Sequence, residues 1–263
     1  MMTESSAPFT VLPLEDGAVF KIERASKLNA LTKPVLEGLA ACIGDLEARK
    51  LPLLVITASG EKAFCAGTDL AELQTLTDAQ RAAKTVMARE LLVRLSRSRL
   101  ISVAAMNGLA YGGGLELAMA CLLRIAAPHV KMSLPEIKLG LLPAYAGTQF
   151  LPAIVGPARA TELMLTGRPV DTTEAHAIGL IHRIAAPQPS LLEQALAFGR
   201  EISGFSPSAV QGIRECIAAA GSQVTDAGLA MEDHHVRAEF GSYNALEGVA
   251  AFLEKRAPKF IRS

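Results

Sequence analysis

Two glutamates twenty residues apart carry the most visible chemistry of this chain. Glu116 closes the run Gly112-Gly113-Gly114-Leu115-Glu116, and Glu136 follows a proline in Ser133-Leu134-Pro135-Glu136. Three glycines leave the backbone bare, so amide N–H groups can approach a ligand that side chains would block. The apolar residues after them (Leu115, Leu117, Ala118, Met119, Ala120) predict a buried helix, with those N–H groups at its positive end. A carboxyl in such company calls for a partner or a task. Amides that stabilise a developing oxyanion, plus two carboxyls that move protons, are the parts needed for enolate chemistry. Each feature also has a plainer reading. Glu116 could be a first-turn glutamate stabilised by about 0.3–1 kcal/mol in the helix dipole, and Glu136 an ordinary helix-start residue after proline.

The elements that must position these residues can be read in outline. Val11 to Arg24 predicts strand, turn and strand. Thr32 is an N-cap candidate before a stripe of Val35, Leu36, Leu39, Ala40, Ile43 and Leu46 at helical spacing. Leu53 to Thr57 and Ile101 to Met106 are continuous apolar runs with the character of buried strands. After the first comes a loop, Ser59 to Gly67, with helical patterns over roughly Asp69 to Arg97. After the second comes the glycine run. Two strand-to-helix turns on neighbouring strands permit two N–H groups to aim at one point; a functionless tight turn is the alternative for Ala63 to Asp69. Ile125 and Val130 to Met132 are weaker strand signals, and a proline- and glycine-punctuated loop spans Leu134 to Gly147. From Pro157 helices dominate, ending with Leu191 to Ile202, Pro207 to Ala220, Val224 to Phe240 and Asn244 to Lys255. The class is α/β with a helical tail.

The chain has 263 residues, half of them hydrophobic, and its 26 Lys plus Arg balance 26 Asp plus Glu. A neutral balance argues against nucleic acid as a partner. Four scattered cysteines without a CxxC pair speak against a disulfide framework or a metal site. Cys65 is better read as a small buried residue than as a nucleophile, and the five histidines show no metal spacing. Asn107, the glycines, Glu116 and Arg124 interrupt the apolar stretch Leu100 to Ala127, so it is not read as a membrane span. The first ten residues lack the marks of a signal peptide and the last four match no targeting address, so a cytoplasmic location is expected.

Phe64-Cys65-Ala66-Gly67-Thr68-Asp69-Leu70, then Asn107 through Ala118, then Pro135 through Pro143, resemble the crotonase (enoyl-CoA hydratase/isomerase) superfamily. Arg24 through Leu31, Leu165 through Arg168, Ala175 through Leu180 and Ala251 through Arg256 extend the resemblance over nearly the whole chain. It implies a crotonase-like spiral of ββα units over residues 1–203, and a helical C-terminal trimerisation region over 204–263, giving a homotrimer or homohexamer. It implies an oxyanion hole from the amides of Thr68 and Gly113. It assigns contact with the CoA thioester to Lys27, Leu28, Ala30, Ala66, Gly67, Asp69, Leu70, Gly112 and Pro135, with Arg24 also facing CoA phosphates.

Hydratase members carry glutamates at the positions of Glu116 and Glu136, so the resemblance implies an enoyl-CoA hydratase, a carbon–oxygen lyase of fatty acid β-oxidation. Glu116 would activate water and Glu136 would serve Cα, with no metal or redox cofactor beyond the coenzyme A of the substrate. Other crotonase reactions, isomerisation or hydration coupled to C–C cleavage, are the first alternative. A non-catalytic acyl-CoA- or RNA-binding module is the second. Three departures stand out. Thr68 replaces a common alanine and narrows the acyl pocket; Pro143-Ala144-Tyr145-Ala146-Gly147 replaces a glycine-richer loop; and Leu122 follows Cys121 where aspartate is usual.

Overall fold

The computed structural model describes residues 7–220 and 242–261 together with positions 234, 236 and 238. The expected helix Val224 to Phe240 therefore lies almost wholly outside the described residues, as does His235. The chain falls into two compact units, Met1–Gly199 and Arg200–Ser263.

In the first unit, β1 (Phe9–Pro13) and β2 (Gly17–Ile22) form the antiparallel hairpin read from the sequence. Helix α1 (Lys33–Ala48) buries Val35, Leu36, Leu39, Ile43 and Leu46, the stripe the spacing predicted. The expected helical stretch after Asp69 divides into α2 (Leu70–Thr75) and α3 (Asp78–Arg97). The break is fixed by a capping box in which Thr77 and Gln80 satisfy each other's backbone amides. Strands β3 (Leu53–Ala58) and β5 (Ile101–Met106) are buried throughout, as continuous apolar runs require.

The sequence reading missed β4 (Ala63–Cys65) and β6 (Leu109–Tyr111), which were taken into loops. These two, with β8 (Lys131–Ser133) and β9 (Val170–Asp171), form a second sheet in the order β4-β6-β8-β9. The first sheet runs β1-β2-β3-β5-β7-β10, with β7 at Leu123–Ala126 and β10 at Arg183–Ile184. Successive strands thus alternate between sheets: β3 then β4, β5 then β6, β7 then β8. The pairs β3/β4 and β5/β6 each feed a helix, which is the repeating ββα turn of a spiral. Helix α4 (Gly113–Ala120) follows β6 and is buried at every residue. It can lie that deep because Gly114 has no side chain: a Cβ there would sit 2.1 Å from the Cys65 carbonyl oxygen.

Beyond β8, a 3₁₀ turn spans Glu136–Leu139, followed by α5 (Gly147–Val155), α6 (Pro157–Thr166) and α7 (Thr172–Ala177); α8 (Leu191–Ser203) begins in this unit and ends in the second. The second unit holds α9 (Pro207–Ala220) and a helix over Tyr243–Glu254. There Asn244 bridges Ser206 Oγ and the Ile261 carbonyl oxygen and accepts from the Ile261 amide. Among the described residues no helix is long and apolar enough to cross a membrane.

Candidate active site

The two turns singled out in the sequence meet. Gly67, at φ +99°, packs so closely on the glycine run that a Cβ there would lie 3.0 Å from the Tyr111 carbonyl oxygen and 3.1 Å from the Gly113 nitrogen. The next residue, Thr68, forms a parallel bridge with Leu31. That bridge uses the amides of Leu31 (to the Gly67 carbonyl, 2.7 Å) and Asp69 (to the Leu31 carbonyl, 3.0 Å) and leaves the Thr68 N–H out. Strand alternation turns that N–H to the opposite side. Gly113 is the first residue of α4, so its N–H has no carbonyl one turn earlier to meet. Gly112, at φ +51°, supplies the backbone reversal between β6 and α4. Among the described residues these two main-chain donors meet no acceptor, and they stand on adjoining turns.

Glu116 lies one turn into α4 and is 1% exposed. Its Oε1 accepts from the amides of Tyr145 (2.8 Å) and Gly147 (2.7 Å). Burial pushes its carboxyl up and the nearby Glu136 adds to the rise, while the two amides resist; the balance stands at about 7. Glu136 opens the 3₁₀ turn after Pro135. Its Oε1 reaches Gly112, where a Cβ would approach to 2.9 Å, so it faces the residue just before the Glu116 helix. Its Oε2 is buried with no hydrogen-bond partner, and burial raises its carboxyl also. An unpartnered buried carboxyl oxygen is costly unless a ligand or a proton answers it. Glu136 thus lies against the turn before the Glu116 helix and close enough to raise the Glu116 carboxyl, and the turn that carries Thr68 packs on Gly113; acids and spare amides are the groups that enolate chemistry uses.

The remaining predicted positions divide. Leu28 and Asn29 take left-handed backbone, and the Leu28 carbonyl accepts from the Ala66 amide at 3.0 Å. Asn29, buried and not anticipated, ties this loop to the next through bonds to the Ser59 and Ala63 carbonyls. Lys27 and Leu28 are exposed, Ala30 and Gly67 buried, Ala66 and Pro135 half-buried, and Leu70 exposed at the start of α2. Asp69 turns its carboxylate to protein: Oδ1 caps α2 through the Ala71 and Glu72 amides, and Oδ2 pairs with Arg24 at 2.8 Å. Arg24 is therefore not an open phosphate contact, since its other nitrogen donates to the Ala30 carbonyl at 2.6 Å. Lys27 is the exposed cation of that loop. Cys65 is buried and its thiol is pushed up to about 12 by burial, the reverse of an activated nucleophile.

A family model described as enoyl-CoA hydratase/isomerase matches residues 16–262. The chain belongs to the enoyl-CoA hydratase/isomerase family. A probable enoyl-CoA hydratase of Mycobacterium bovis is 37% identical over 92% of this chain and 93% of its own. A crotonyl-CoA hydratase of Syntrophomonas wolfei is 36% identical over 94% and 95%. An enoyl-CoA hydratase structure from Bacillus anthracis superposes with a TM-score of 0.90 at 32% identity, covering 96% of this chain and 98% of that one. The crotonase fold is thus shown for the chain. Within this family frame, the side chains that sequence reading missed are those joined only through the fold: Lys84, Glu72 and Asn29. None carries a local motif.

Proposed function

We infer that this protein is an enoyl-CoA hydratase, adding water reversibly and syn across a 2-trans-enoyl-CoA to give the 3-hydroxyacyl-CoA. The observation that carries the reading is the presence of two carboxyls raised by burial, Glu116 and Glu136, beside two amides free to donate to an oxyanion. The thioester carbonyl oxygen takes hydrogen bonds from the Thr68 and Gly113 N–H groups. Water oxygen bonds to Cβ while Glu116, as carboxylate, accepts the water proton. The π electrons of the double bond move toward the carbonyl and place charge on that oxygen. Glu136, protonated, delivers a proton to Cα, and the thioester carbonyl reforms. Burial raises both acids, Glu116 to about 7, which suits an exchange in which one carboxyl gains a proton and the other loses one.

Coenzyme A enters as part of the substrate, held beside Lys27, Leu28, Ala30 and Ala66; neither metal nor redox cofactor takes part. The proposal extends to a cytoplasmic enzyme of fatty acid β-oxidation that assembles as a homotrimer or homohexamer. The test is hydration of crotonyl-CoA by the purified chain, followed by loss of enoyl thioester absorbance. Glu116→Gln and Glu136→Gln should each lower kcat by about 10²–10⁴-fold, the usual contribution of a positioned acid or base. A Glu116→Gln variant that shifts the double bond of a 3-enoyl-CoA at the wild-type rate, with no hydration by either protein, would convert the reading to a one-acid isomerase.

A further inference from the structure

Lys84 sits on α3 with 3% of its side chain exposed. A buried ammonium must place its donors on protein acceptors. It gives one to the Leu31 carbonyl oxygen (3.1 Å), one to Thr68 Oγ1 (3.2 Å) and one to the Glu72 carboxylate. Glu72 is held from its other oxygen by the Lys33 amide at 3.1 Å. Thr68 Oγ1 also meets Tyr145 Oη at 3.0 Å. Since an ammonium only donates, the threonine oxygen accepts from Lys84, and the remaining bond joins the two hydroxyls.

Tyr145 is consequently fixed at both ends, 5% exposed, with its amide on Glu116 at 2.8 Å and its phenol on Thr68. Between these ends the ring edge covers Gly113: Cδ2 and Cε2 lie 2.9 Å from where a Gly113 Cβ would be. An oxyanion hole needs nothing from these side chains, because any residue at position 68 supplies the same N–H.

We propose that Lys84, acting through Thr68, is a positioning residue that holds Tyr145 as the end wall of the acyl pocket, restricting the enzyme to short-chain 2-enoyl thioesters. The proposal rests on the hydratase reading. An oxygen seated between the Thr68 and Gly113 amides has the thioester carbon beside it. One branch of that carbon leads to sulfur and the Lys27–Ala30 loop, the other to the carbons addressed by the acids. Tyr145 belongs to the loop that holds Glu116, so its ring stands on the acyl branch. An untethered ring could turn aside for a longer chain. Turning this one breaks the Thr68 bond and strands a phenol in a buried site, which the Lys84 anchor opposes.

The test reads a ratio: kcat/KM for crotonyl-CoA over kcat/KM for 2-decenoyl-CoA, on the full chain and its variants. Loss of folded enzyme lowers both terms and leaves the ratio unchanged. The wild type should favour crotonyl-CoA by about 100-fold or more, since a single methylene in a confined pocket alters discrimination by about 10–200-fold. Tyr145→Ala should lower the ratio at least about tenfold on the same scale. Tyr145→Phe, Thr68→Val and the double variant Lys84→Met with Glu72→Gln keep the ring but release it. Each should lower the ratio by a smaller factor, and they serve if the truncation fails to fold. A wild type that hydrates neither thioester refutes the hydratase reading itself. Equal hydration of both, or an unchanged ratio in Tyr145→Ala, overturns the wall. A ratio that moves in Tyr145→Ala but not in the Thr68 and Lys84 variants overturns the positioning role of Lys84.

Discussion

Glu116 is held between opposing demands. Burial favours its neutral form, and two backbone amides favour its charged form; burial prevails and sets the carboxyl at about 7 against an ordinary 4.5. The folded chain therefore binds a proton that the unfolded chain has released over that interval. Stability is unaffected below the lower value, falls as pH climbs from 4.5 toward 7, and levels off above it. The full displacement corresponds to about 3 kcal/mol. Glu116→Gln keeps an acceptor oxygen for the Tyr145 and Gly147 amides and removes the buried charge. We expect that variant to be more stable than wild type under mildly alkaline conditions by about 1–3 kcal/mol, while hydration is lost. Urea midpoints measured below and above neutrality check it; a midpoint that falls with rising pH as steeply in the variant as in the wild type would show that Glu116 is not the titrating group. Glu116 was legible in the sequence because a carboxyl stood in an apolar run behind three glycines. Lys84 was not, because on a polar helix it reads as a solvated lysine. Its burial depends on Leu31 and Thr68, which lie far away in sequence.

At the level of elements, the two amides proposed for the oxyanion hole are a product of turns rather than of side chains. Gly67→Ala forces a methyl group to 3.1 Å from the Gly113 nitrogen at a φ of +99°, so the 63–69 loop must retreat from α4. That separation removes one donor from the hole, and kcat should fall by about 10²–10³-fold with little change in the pH dependence. A Gly67→Ala enzyme with wild-type kcat would show that the two turns do not form the hole. The opposite effect is expected at the entrance to α5, where Ala146 holds φ +80°. A left-handed alanine costs roughly 1–2 kcal/mol, and glycine returns about 0.4–1 kcal/mol of that through the flexibility of the unfolded chain. Ala146→Gly should therefore gain up to about 1 kcal/mol, read as a raised Tm. These turns also mark how far pattern reading reached. The long apolar strands β3 and β5 and helix α1 announce themselves by run length and spacing. Strands β4 and β6 have three residues each, in small-residue loops, and exist only because each finds a neighbour in the second sheet. That the Thr68 N–H is turned away from Leu31 and left out of the pairing follows from the bridge, which no local spacing encodes; at the sequence level only the family resemblance pointed to this amide.

For the whole molecule the open matter is what covers its apolar surface. Leu139 (62% exposed), Leu141 and Leu142 (68%) project from the segment just after Glu136, and Ile213, Ile217, Leu246 and Val249 project from the helices of the second unit. Clusters of large exposed side chains are the mark of an association surface rather than of an isolated chain, the surface that the proposed assembly would cover. The position of the first cluster ties assembly to chemistry. Glu136 sits on a turn of four residues whose outer side chains, Ile137 and Leu139, face solvent, and its own Oε2 has no partner to fix it. A neighbouring copy packed on Leu139 and Leu142 would hold that turn, and with it the carboxyl proposed to serve Cα. Sedimentation of the wild type should give a species of three or six chains, and Leu139→Asp with Leu142→Asp should shift it to smaller ones. The dispersed enzyme should lose kcat on crotonyl-CoA while keeping its preference for crotonyl-CoA over 2-decenoyl-CoA, because Tyr145 is anchored from within the chain through Thr68 and Lys84. A single-chain species at every concentration, with full activity, would remove both the assembly and its link to Glu136.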